Sequence, residues 1–367
     1  MAAEGKSENI RLKYALVGVM FGFSFPIIST LFDIYVRDMG LSWASIIEAQ
    51  RTQPLHWIID SAPIFLGLFS CLAGVKQQEV VAVNEGLELK VQQRTERLNE
   101  QNSELLSMQT ELQDSLQRIS QSINYAQRIQ DAIVSNTNEL QTAFPDSFVM
   151  FRPRDVVSGD FPWYLNIDGR HYLAAVDCTG HGVPGAFMSL IGYFLLNKIV
   201  KEHGIYDTDE ILTALHKEVV RVLNQQDDSD VHDGMDLALC RIDPEKQEVM
   251  FSGAGNPVYH LGSEELVEYK ADYWSIGGTQ YRNRKDYKSH SFNYKKGDTI
   301  AMFSDGITDQ FAADGEAKFG FKRIRTHLSE NSHESMKNVH LSFEEEMNAW
   351  MGETKQLDDM LLMGVRL

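Results

Sequence analysis

Cysteine is scarce in this chain. Only Cys71, Cys178 and Cys240 occur among 367 residues, and their spacing matches no common metal-binding pattern. An odd set of this kind is typical of free thiols in a reducing compartment.

Clustered basic residues are lacking too, since 34 Lys and Arg stand against 52 Asp and Glu, giving a net charge of −18 and a pI near 5.0. We therefore expect no nucleic-acid partner, because phosphate backbones bind clustered Lys and Arg.

Proline is absent from Lys76 to Ser135, where Gln, Glu, Ser, Arg and Leu dominate. One apolar column recurs there every seven residues: Val91, Leu98, Leu105, Leu112, Ile119, Ala126 and Ile133. Such a repeat predicts a left-handed coiled coil, and we expect a parallel homodimer. A second column, four positions on, is mostly polar, as at Asn102, Gln109 and Gln130, which predicts a marginal coil. The coil is either a passive spacer rod or a helix that transmits a signal.

Charge is absent from Tyr14 to Phe32, and only Asp60 interrupts a second apolar stretch from Trp57 to Val75. Each stretch approaches the roughly 20 residues that cross a bilayer, so together they predict a transmembrane hairpin. Basic residues outside the hairpin, such as Lys13 and Lys76, predict that both tails lie in the cytoplasm, as in a multi-pass protein of the cell membrane. A cleaved signal peptide and a buried pair of soluble helices remain alternatives.

These patterns predict an order of segments along the chain. The expected segments are a cytoplasmic tail (1–13), transmembrane helix 1 (14–36), a short external loop (37–56), transmembrane helix 2 (57–75), a coiled-coil signalling linker (76–137) and a C-terminal domain (138–367).

Four short motifs in the C-terminal domain place an aspartate beside a glycine turn or near the end of the chain. They are SGDF (158–161), VDCTGHG (176–182), FSDG (303–306) and LDDM (357–360). One such motif alone is an ordinary turn, because Asp and Gly favour turns. Four together, without Cys or His ligand spacing, favour a site for Mg²⁺ or Mn²⁺, since these ions prefer oxygen ligands.

The order of these motifs resembles the SpoIIE-type branch of the metal-dependent (PPM, type 2C) serine/threonine protein phosphatases, over about residues 140–367. The stretches that carry the resemblance are RPRD (152–155) through DF (160–161), AAVD (174–177) through GAFM (185–188), DGMD (233–236), SGAGNP (252–257) and the terminal DD (358–359). The resemblance implies an α/β (α+β) four-layer sandwich, in which helices flank two stacked, mainly antiparallel sheets. Pro162 and Leu361 depart from the family pattern, which puts substrate fit and local strand geometry in doubt.

The resemblance also implies the site. Asp160 and Asp177 would hold two Mn²⁺ or Mg²⁺ ions, with the main-chain carbonyl of Cys178 as a further ligand, and Asp305 and Asp358 would complete the second ion. Two ions about 3.5–4 Å apart screen the phosphate dianion and activate a water for attack on it.

Other candidate residues keep two interpretations each. Arg154 pairs with the substrate phosphate or forms a surface salt bridge with an acid such as Asp155. His181 donates a proton to the leaving serine or threonine oxygen, or is a hydrogen-bonded structural histidine. Asp233 and Asp236 hold a loosely bound third ion or cap a turn.

The favoured function is a membrane-tethered phosphatase that acts on phosphoserine or phosphothreonine of a cytosolic regulatory protein in a bacterial-type signalling pathway. An anti-sigma antagonist-like protein is one candidate substrate. A catalytically silent scaffold with the same fold is the alternative. A nucleotide-cyclising or kinase module is excluded, because no complete cyclase loop, histidine box or glycine-rich ATP lid is present.

Secondary structure in the C-terminal domain is predicted as mixed. Seven short apolar runs predict strands: 148–151, 172–176, 237–242, 248–252, 258–261, 299–303 and 361–365. A helix from Pro184 to about His203 is apolar on most of its circumference and is expected to be buried. A second helix follows Asp207, which together with Glu210 is expected to cap it.

Overall fold

The computed structural model describes residues 2–134, 137–225, 232–262, 265–278 and 286–367. It comprises two compact units, Met1–Gln113 and Asp114–Leu367. The helices are α1 (Ala2–Val36), α2 (Trp43–Thr52), α3 (Pro54–Ile59), α4 (Ala62–Val134), α5 (Thr137–Ala143), α6 (Gly182–Asn197), α7 (Thr208–Val222), α8 (Asp305–Thr308), α9 (Gly320–Glu330) and α10 (Met336–Met351). A π-helical segment, Lys198–Glu202, continues α6.

The first unit contains α1, α2, α3 and the first part of α4. The helices α1 and α4 approach closely at Gly18, where a Cβ would collide with Ser70 and with the carbonyl of Leu66. Small residues permit such approach between apolar helices. The predicted second span is divided between α3 and α4, with a break at Asp60 and Ser61. The helix α2 occupies half of the predicted external loop, and α3 begins within that loop.

In the part of the chain that the structure describes, three stretches are long and apolar enough to cross a membrane by length and composition: Ile10–Val36, Pro54–Ala143 and Gly182–Glu202. The first two contain the predicted hairpin. The third covers α6, and half of its most apolar window is buried within the structure. Its buried residues, such as Leu196 and Ile199, share a core with strands of the second unit, which argues for a domain helix.

Eleven strands are found among the described residues of the second unit. They are β1 (Ser147–Arg152), β2 (Phe161–Ile167), β3 (Arg170–Cys178), β4 (Gly234–Asp243), β5 (Glu248–Ala254), β6 (Val258–Leu261), β7 (Leu266–Tyr269), β8 (Ile276–Gly277), β9 (His290–Asn293), β10 (Thr299–Phe303) and β11 (Met360–Arg366). The first sheet has the order β1-β11-β10-β6-β7 and the second β2-β3-β4-β5-β9, with β8 beside β4. All paired strands are antiparallel, as expected.

Three apolar cores hold these elements together. The outer side of the second sheet packs on α6 and α7, so that Trp163 and Leu196 share one core. Residues of both sheets share another core, as Phe251 and Met363 do. The third core joins the first sheet to α9 and α10, with Phe343 fully buried in it. The prediction of an α+β fold with two antiparallel sheets and flanking helices is confirmed at this level.

All seven predicted strand runs lie within observed strands, whereas β2, β7, β8 and β9 were not predicted. Pro162 lies in β2 and weakens a strand prediction, because proline cannot donate to a ladder. The structure resolves the conflict by placing β2 at the edge of its sheet, where Pro162 pairs with Ala175 on its one neighbour. The other three strands are at most four residues long and carry little pattern.

Two expectations about helices were wrong. The α6 helix is buried on one side only, since Phe187 is 63% and Phe194 56% exposed. Asp207 occupies the position before α7, but its side chain makes no capping hydrogen bond. Its carboxylate instead accepts a hydrogen bond from Arg241, 2.6 Å away, because that largely buried guanidinium requires a charged partner.

Candidate active site

Carboxylates from four separate parts of the chain meet at one end of the two sheets. Asp177 lies near the end of β3, directly across the ladder from Asp236 in β4. Asp305 opens α8 immediately after β10, and its N–H donates to Oδ2 of Asp177 at 3.2 Å. Asp358 lies two residues before β11, the neighbour of β10. Like charges directly opposite each other destabilise a sheet, so this arrangement needs a compensating interaction.

These carboxylates line a cavity of about 210 Å³. Its walls are Asp177, Cys178, Thr179, Gly180, Met235, Asp236, Ser275, Asp305 and Asp358. Four of the five positions predicted as metal ligands, Asp177, Cys178, Asp305 and Asp358, are thus brought together. Asp236, for which the sequence allowed either binding of a third ion or capping of a turn, also lines this cavity. Asp233 does not line it.

Asp160 does not line this cavity. It is 3% exposed, and Oδ2 has no hydrogen-bond partner among the described residues. The side chain hydrogen-bonds to Ser304, and the charges of Asp177, Asp358 and Asp359 act on it. Asp160 borders a second cavity of about 250 Å³, which Gln130 and Pro162 also line. The carboxylate therefore lies behind the first cavity, within electrostatic range of it.

The shared burial changes the acidity of the whole cluster. Burial, followed by the charge of Asp305, raises the pKa of Asp177 well above its ordinary value, although the Asp305 N–H partly offsets this. Burial and the charge of Asp177 raise the pKa of Asp160 in the same way. Burial also raises the pKa of Asp236 and of Asp305. Carboxylates in such a site are more stable when a proton or a cation neutralises their charge than when they are ionised and unpaired.

Asp359 fixes the loop that leads to Asp160, a role that the sequence did not reveal. It is 2% exposed, and its two oxygens accept hydrogen bonds from the N–H groups of Arg154 (2.7 Å) and Gly159 (2.8 Å). Gly159 has no room for a side chain, because a Cβ would lie 2.5 Å from the carbonyl oxygen of Gly180. Of the two adjacent aspartates, Asp358 thus lines the cavity, and Asp359 holds the loop that precedes Asp160.

Gln130 also supports the loop before Asp160, although the sequence analysis placed it in the polar column of the coiled coil. It lies near the end of α4 and is 6% exposed. Its Nε2 donates to the carbonyl of Ser158 (2.6 Å) and to Oγ of Ser189 on α6 (2.8 Å), and its Oε1 accepts from the N–H of Ser158 (3.1 Å). In the heptad pattern it was only a polar interruption. No signal in the sequence alone distinguishes it from the exposed glutamines of the same helix.

Arg154 and His181 lie outside the cavity wall. The Arg154 side chain is exposed and makes no ion pair with any residue in the described ranges. The salt bridge with an acid such as Asp155, one of its two interpretations, is therefore not found there. Asp155 instead pairs with His181, with Oδ2 2.7 Å from Nδ1. His181 is the N-cap residue of α6, at the turn that follows Asp177, and 43% of its side chain is exposed.

Comparison with known proteins identifies the family. The sequence model described as Stage II sporulation protein E (SpoIIE) matches residues 167–367, more than half of the chain. The chain belongs to the SpoIIE family. This confirms the resemblance to SpoIIE-type, PP2C-class serine/threonine phosphatases that the motifs indicated.

Two relatives add detail to this SpoIIE-family assignment. Phosphoserine phosphatase RsbU of Bacillus subtilis (strain 168) is 26% identical over 230 residues, which cover 61% of this chain and 65% of RsbU. The chain therefore spans less than two thirds of the length of that relative. The solved SiaA-PP2C domain of Pseudomonas aeruginosa is 27% identical with a TM-score of 0.63, and the match covers 69% of this chain and 98% of that domain.

The donor set of this SpoIIE-family site fits a hard divalent cation. Carboxylate and carbonyl oxygens are the ligands that Mg²⁺ and Mn²⁺ prefer, and the buried oxygens Asp160 Oδ2 and Asp236 Oδ1 have no hydrogen-bond partner in the described part of the chain. Among the described residues, no three His, Cys, Asp or Glu side chains form a ready-made metal-binding group. The residues nevertheless fit the ion chemically.

Proposed function

We propose that this chain is a membrane-tethered, Mn²⁺- or Mg²⁺-dependent protein phosphatase that hydrolyses phosphoserine or phosphothreonine on a cytosolic regulatory protein. The observation that carries the proposal is the convergence of Asp177, Asp236, Asp305 and Asp358 on one cavity. The substrate class is supported by membership of the SpoIIE family and by similarity to a phosphoserine phosphatase. An anti-sigma antagonist-like phosphoprotein remains one candidate substrate.

The metal would be held by Asp160, Asp177, Asp305 and Asp358, with the carbonyl of Cys178, and Asp236 is available for a further ion. When bound, divalent cations neutralise phosphoryl oxygens and lower the pKa of the attacking water. The thiol of Cys178 is not suited to be a ligand itself, because burial and the charge of Asp177 raise its pKa well above its ordinary value. Only its main-chain oxygen is proposed to take part.

Arg154 and His181 would act on the substrate from the rim of the cavity. The guanidinium of Arg154, which has no ion-pair partner within the described ranges, suits a phosphate oxygen pair, and Asp359 fixes its backbone. His181 presents Nδ1 to Asp155, which leaves Nε2 to protonate the leaving serine or threonine oxygen. In this arrangement Asp155 orients the ring.

The remaining parts of the chain complete the proposal. The apolar parts of α1, α3 and α4 would form the membrane hairpin, with the cytoplasmic tail (1–13) and the catalytic domain (138–367) on the cytosolic side. The heptad column of α4 would pair with a second copy, since Leu98, Leu105 and Leu112 are each about 60% exposed: 58%, 62% and 61%. The three cores of the catalytic domain support the four-layer arrangement of helices and sheets.

Phosphate release from phosphoserine and phosphothreonine peptides tests the function. We expect release by the purified full-length chain with Mn²⁺ or Mg²⁺ and none with a chelator. Asp305→Asn should lower turnover by at least ~100-fold, because even residues that only support metal ligands cost 10- to 100-fold. Asp314→Asn, an exposed change on a nearby turn, is the matched control and should keep full activity.

The alternative is a silent scaffold. A properly folded chain that binds Mn²⁺ but releases no phosphate from any phosphopeptide would support the scaffold and refute the enzyme. Equal activity in Asp305→Asn and in the unchanged chain would refute the site.

A further inference from the structure

The first unit contains a buried polar cluster that the proposed phosphatase chemistry does not use. His56 on α3 is 4% exposed and lies against α1. Its Nδ1 is 3.1 Å from Oγ of Ser29, and its Nε2 is 3.6 Å from Oδ2 of Asp33. A histidine enclosed by apolar helices in this way couples the packing of two helices to its own charge.

The partner oxygen is incompletely satisfied. Asp33 Oδ1 pairs with Nε of Arg37 at 3.2 Å, whereas Oδ2 is buried without a hydrogen-bond partner in the described structure. A neutral imidazole has one N–H to offer, either to Ser29 or towards Asp33, but an imidazolium has two. The Ser29 hydroxyl can donate to Nδ1 of a neutral ring whose N–H faces Asp33, so protonation adds charge to this contact. It turns the contact between α3 and α1 into an ion pair, at the oxygen that lacks a hydrogen bond.

Among the described residues, Asp33 is the one charged side chain found in contact with the ring. From α1, Asp33 faces the ring and Arg37 holds the other oxygen of Asp33. From α2, two neutral side chains contact α1: Thr52 accepts from Arg37 (2.7 Å), and Gln50 donates to Thr30 (3.0 Å). The charged residues of α2, Glu48 and Arg51, are exposed. Beyond α3, Asp60 is exposed and reaches His56 only through the backbone. Histidine is the side chain here that ordinarily changes charge between pH 5 and 8.

We propose that His56 and Asp33 form a proton-binding site through which this chain senses pH on the non-cytosolic side of the membrane. This inference rests on the proposed membrane hairpin and phosphatase activity. The cluster lies at the end of α1 next to the proposed external loop, where protons from that side reach it. Bound protons tie α3 to α1, and their loss releases α3.

The chain provides a route from this site to the catalytic domain. The helix α3 ends at Ile59, and the continuous helix α4 begins at Ala62. The same helix carries Gln130, whose hydrogen bonds hold the loop before Asp160. Release of α3 displaces the first turn of α4, and two positions of α4 with different stability are sufficient to couple proton binding to turnover.

The test uses the full-length chain in liposomes, with the catalytic domain facing the bulk buffer as verified by protease accessibility. Bulk pH stays near 7.5, and the lumen is set to about 5.5 or about 8, on either side of the range in which histidine titrates. We expect turnover of a phosphoserine peptide to differ about fivefold or more between the two lumen conditions, a typical size for coupling between sites.

Variants assign the effect to the site. His56→Gln should remove the response and fix turnover at the high-pH value of the unchanged chain, and Asp33→Asn should also give a flat profile. His333→Gln, an exposed histidine of the second unit, is the control that should keep the response. A flat profile in the unchanged chain, or a normal response in His56→Gln, overturns the proposal.

A second readout separates this proposal from the phosphatase itself. Trp57 adjoins His56, and its emission is obtained as the difference between the unchanged chain and Trp57→Phe. We expect this emission to shift with lumen pH in the unchanged chain and not in His56→Gln. If no phosphate is released at any pH, the phosphatase function fails, and the Trp57 emission alone decides whether the proton site exists.

Discussion

At the scale of residues, the proposed site brings together carboxylates whose negative charges repel one another unless protons or cations neutralise them. This repulsion reduces the stability of the folded chain, as Asp177 shows: burial and neighbouring charges raise the pKa of its carboxyl group. The folded protein therefore binds more protons at this group than the unfolded chain does, and stability is lost as pH rises from about 4 through the raised pKa. The buried, clustered carboxylates therefore lower the stability of the folded chain at neutral pH.

Asp177→Asn tests this cost directly. In chelator at neutral pH, the variant should be more stable than the unchanged chain, and the difference should grow as pH rises from about 4. Each ~1 kcal/mol added to the free energy of unfolding raises the melting temperature of a domain of this size by about 2–4 °C. We therefore expect the melting temperature of the variant to rise by a few degrees. Thermal melts across pH measure it. A variant that melts lower at neutral pH, or a difference that shrinks as pH rises, would contradict the electrostatic argument.

His181 makes a separate prediction about leaving groups. His181→Gln should lower turnover of phosphoserine peptides by ~100-fold or more, the usual contribution of a positioned acid. It should hardly affect p-nitrophenyl phosphate, because a nitrophenolate leaves without a proton. The comparison of the two substrates is the measurement, and Asp155→Asn should show a weaker form of the same pattern. An equal loss on both substrates would assign His181 a structural role.

At the scale of elements, the loop before Asp160 is held from two directions, by Asp359 and by Gln130 at the end of α4. Gln130→Ala removes three hydrogen bonds that join α4 to Ser158 and Ser189. We expect a 10- to 100-fold loss in Mn²⁺ affinity or turnover, about the cost of losing a residue that supports metal ligands. Gln121→Ala, an exposed change on the same helix, should have no effect. Normal affinity and turnover in Gln130→Ala would show that α4 does not support the site.

Sequence predicted some elements well for physical reasons. Strands such as β10 and β6 are short apolar runs between turn residues, and their predicted bounds match the observed ones. The exposed face of α6 was not predicted, because this face also carries apolar residues such as Phe187. The sequence therefore does not indicate which side of the helix packs against the sheet. The motif aspartates were found because each lies at a strand end. Gln130 could not be found, because its partners depend on tertiary packing.

At the scale of the whole molecule, the apolar column on α4 is predicted to join two copies. Leu105→Glu with Leu112→Glu should convert a dimer into a monomer in light scattering of the detergent-solubilised chain, because both residues belong to the heptad seam. Ser103→Glu with Ser107→Glu adds the same charge away from the seam and should leave the dimer intact. A chain that is monomeric without any substitution would contradict the coiled coil.

The central claim is that divalent cations bind in the cavity lined by Asp177, Asp236, Asp305 and Asp358. Anomalous diffraction from Mn²⁺-soaked crystals of the full-length chain tests it most directly. We predict anomalous peaks inside the cavity lined by these residues, and their loss in Asp305→Asn. Crystals of active protein without a peak in this cavity, or with Mn²⁺ bound elsewhere only, would contradict the account.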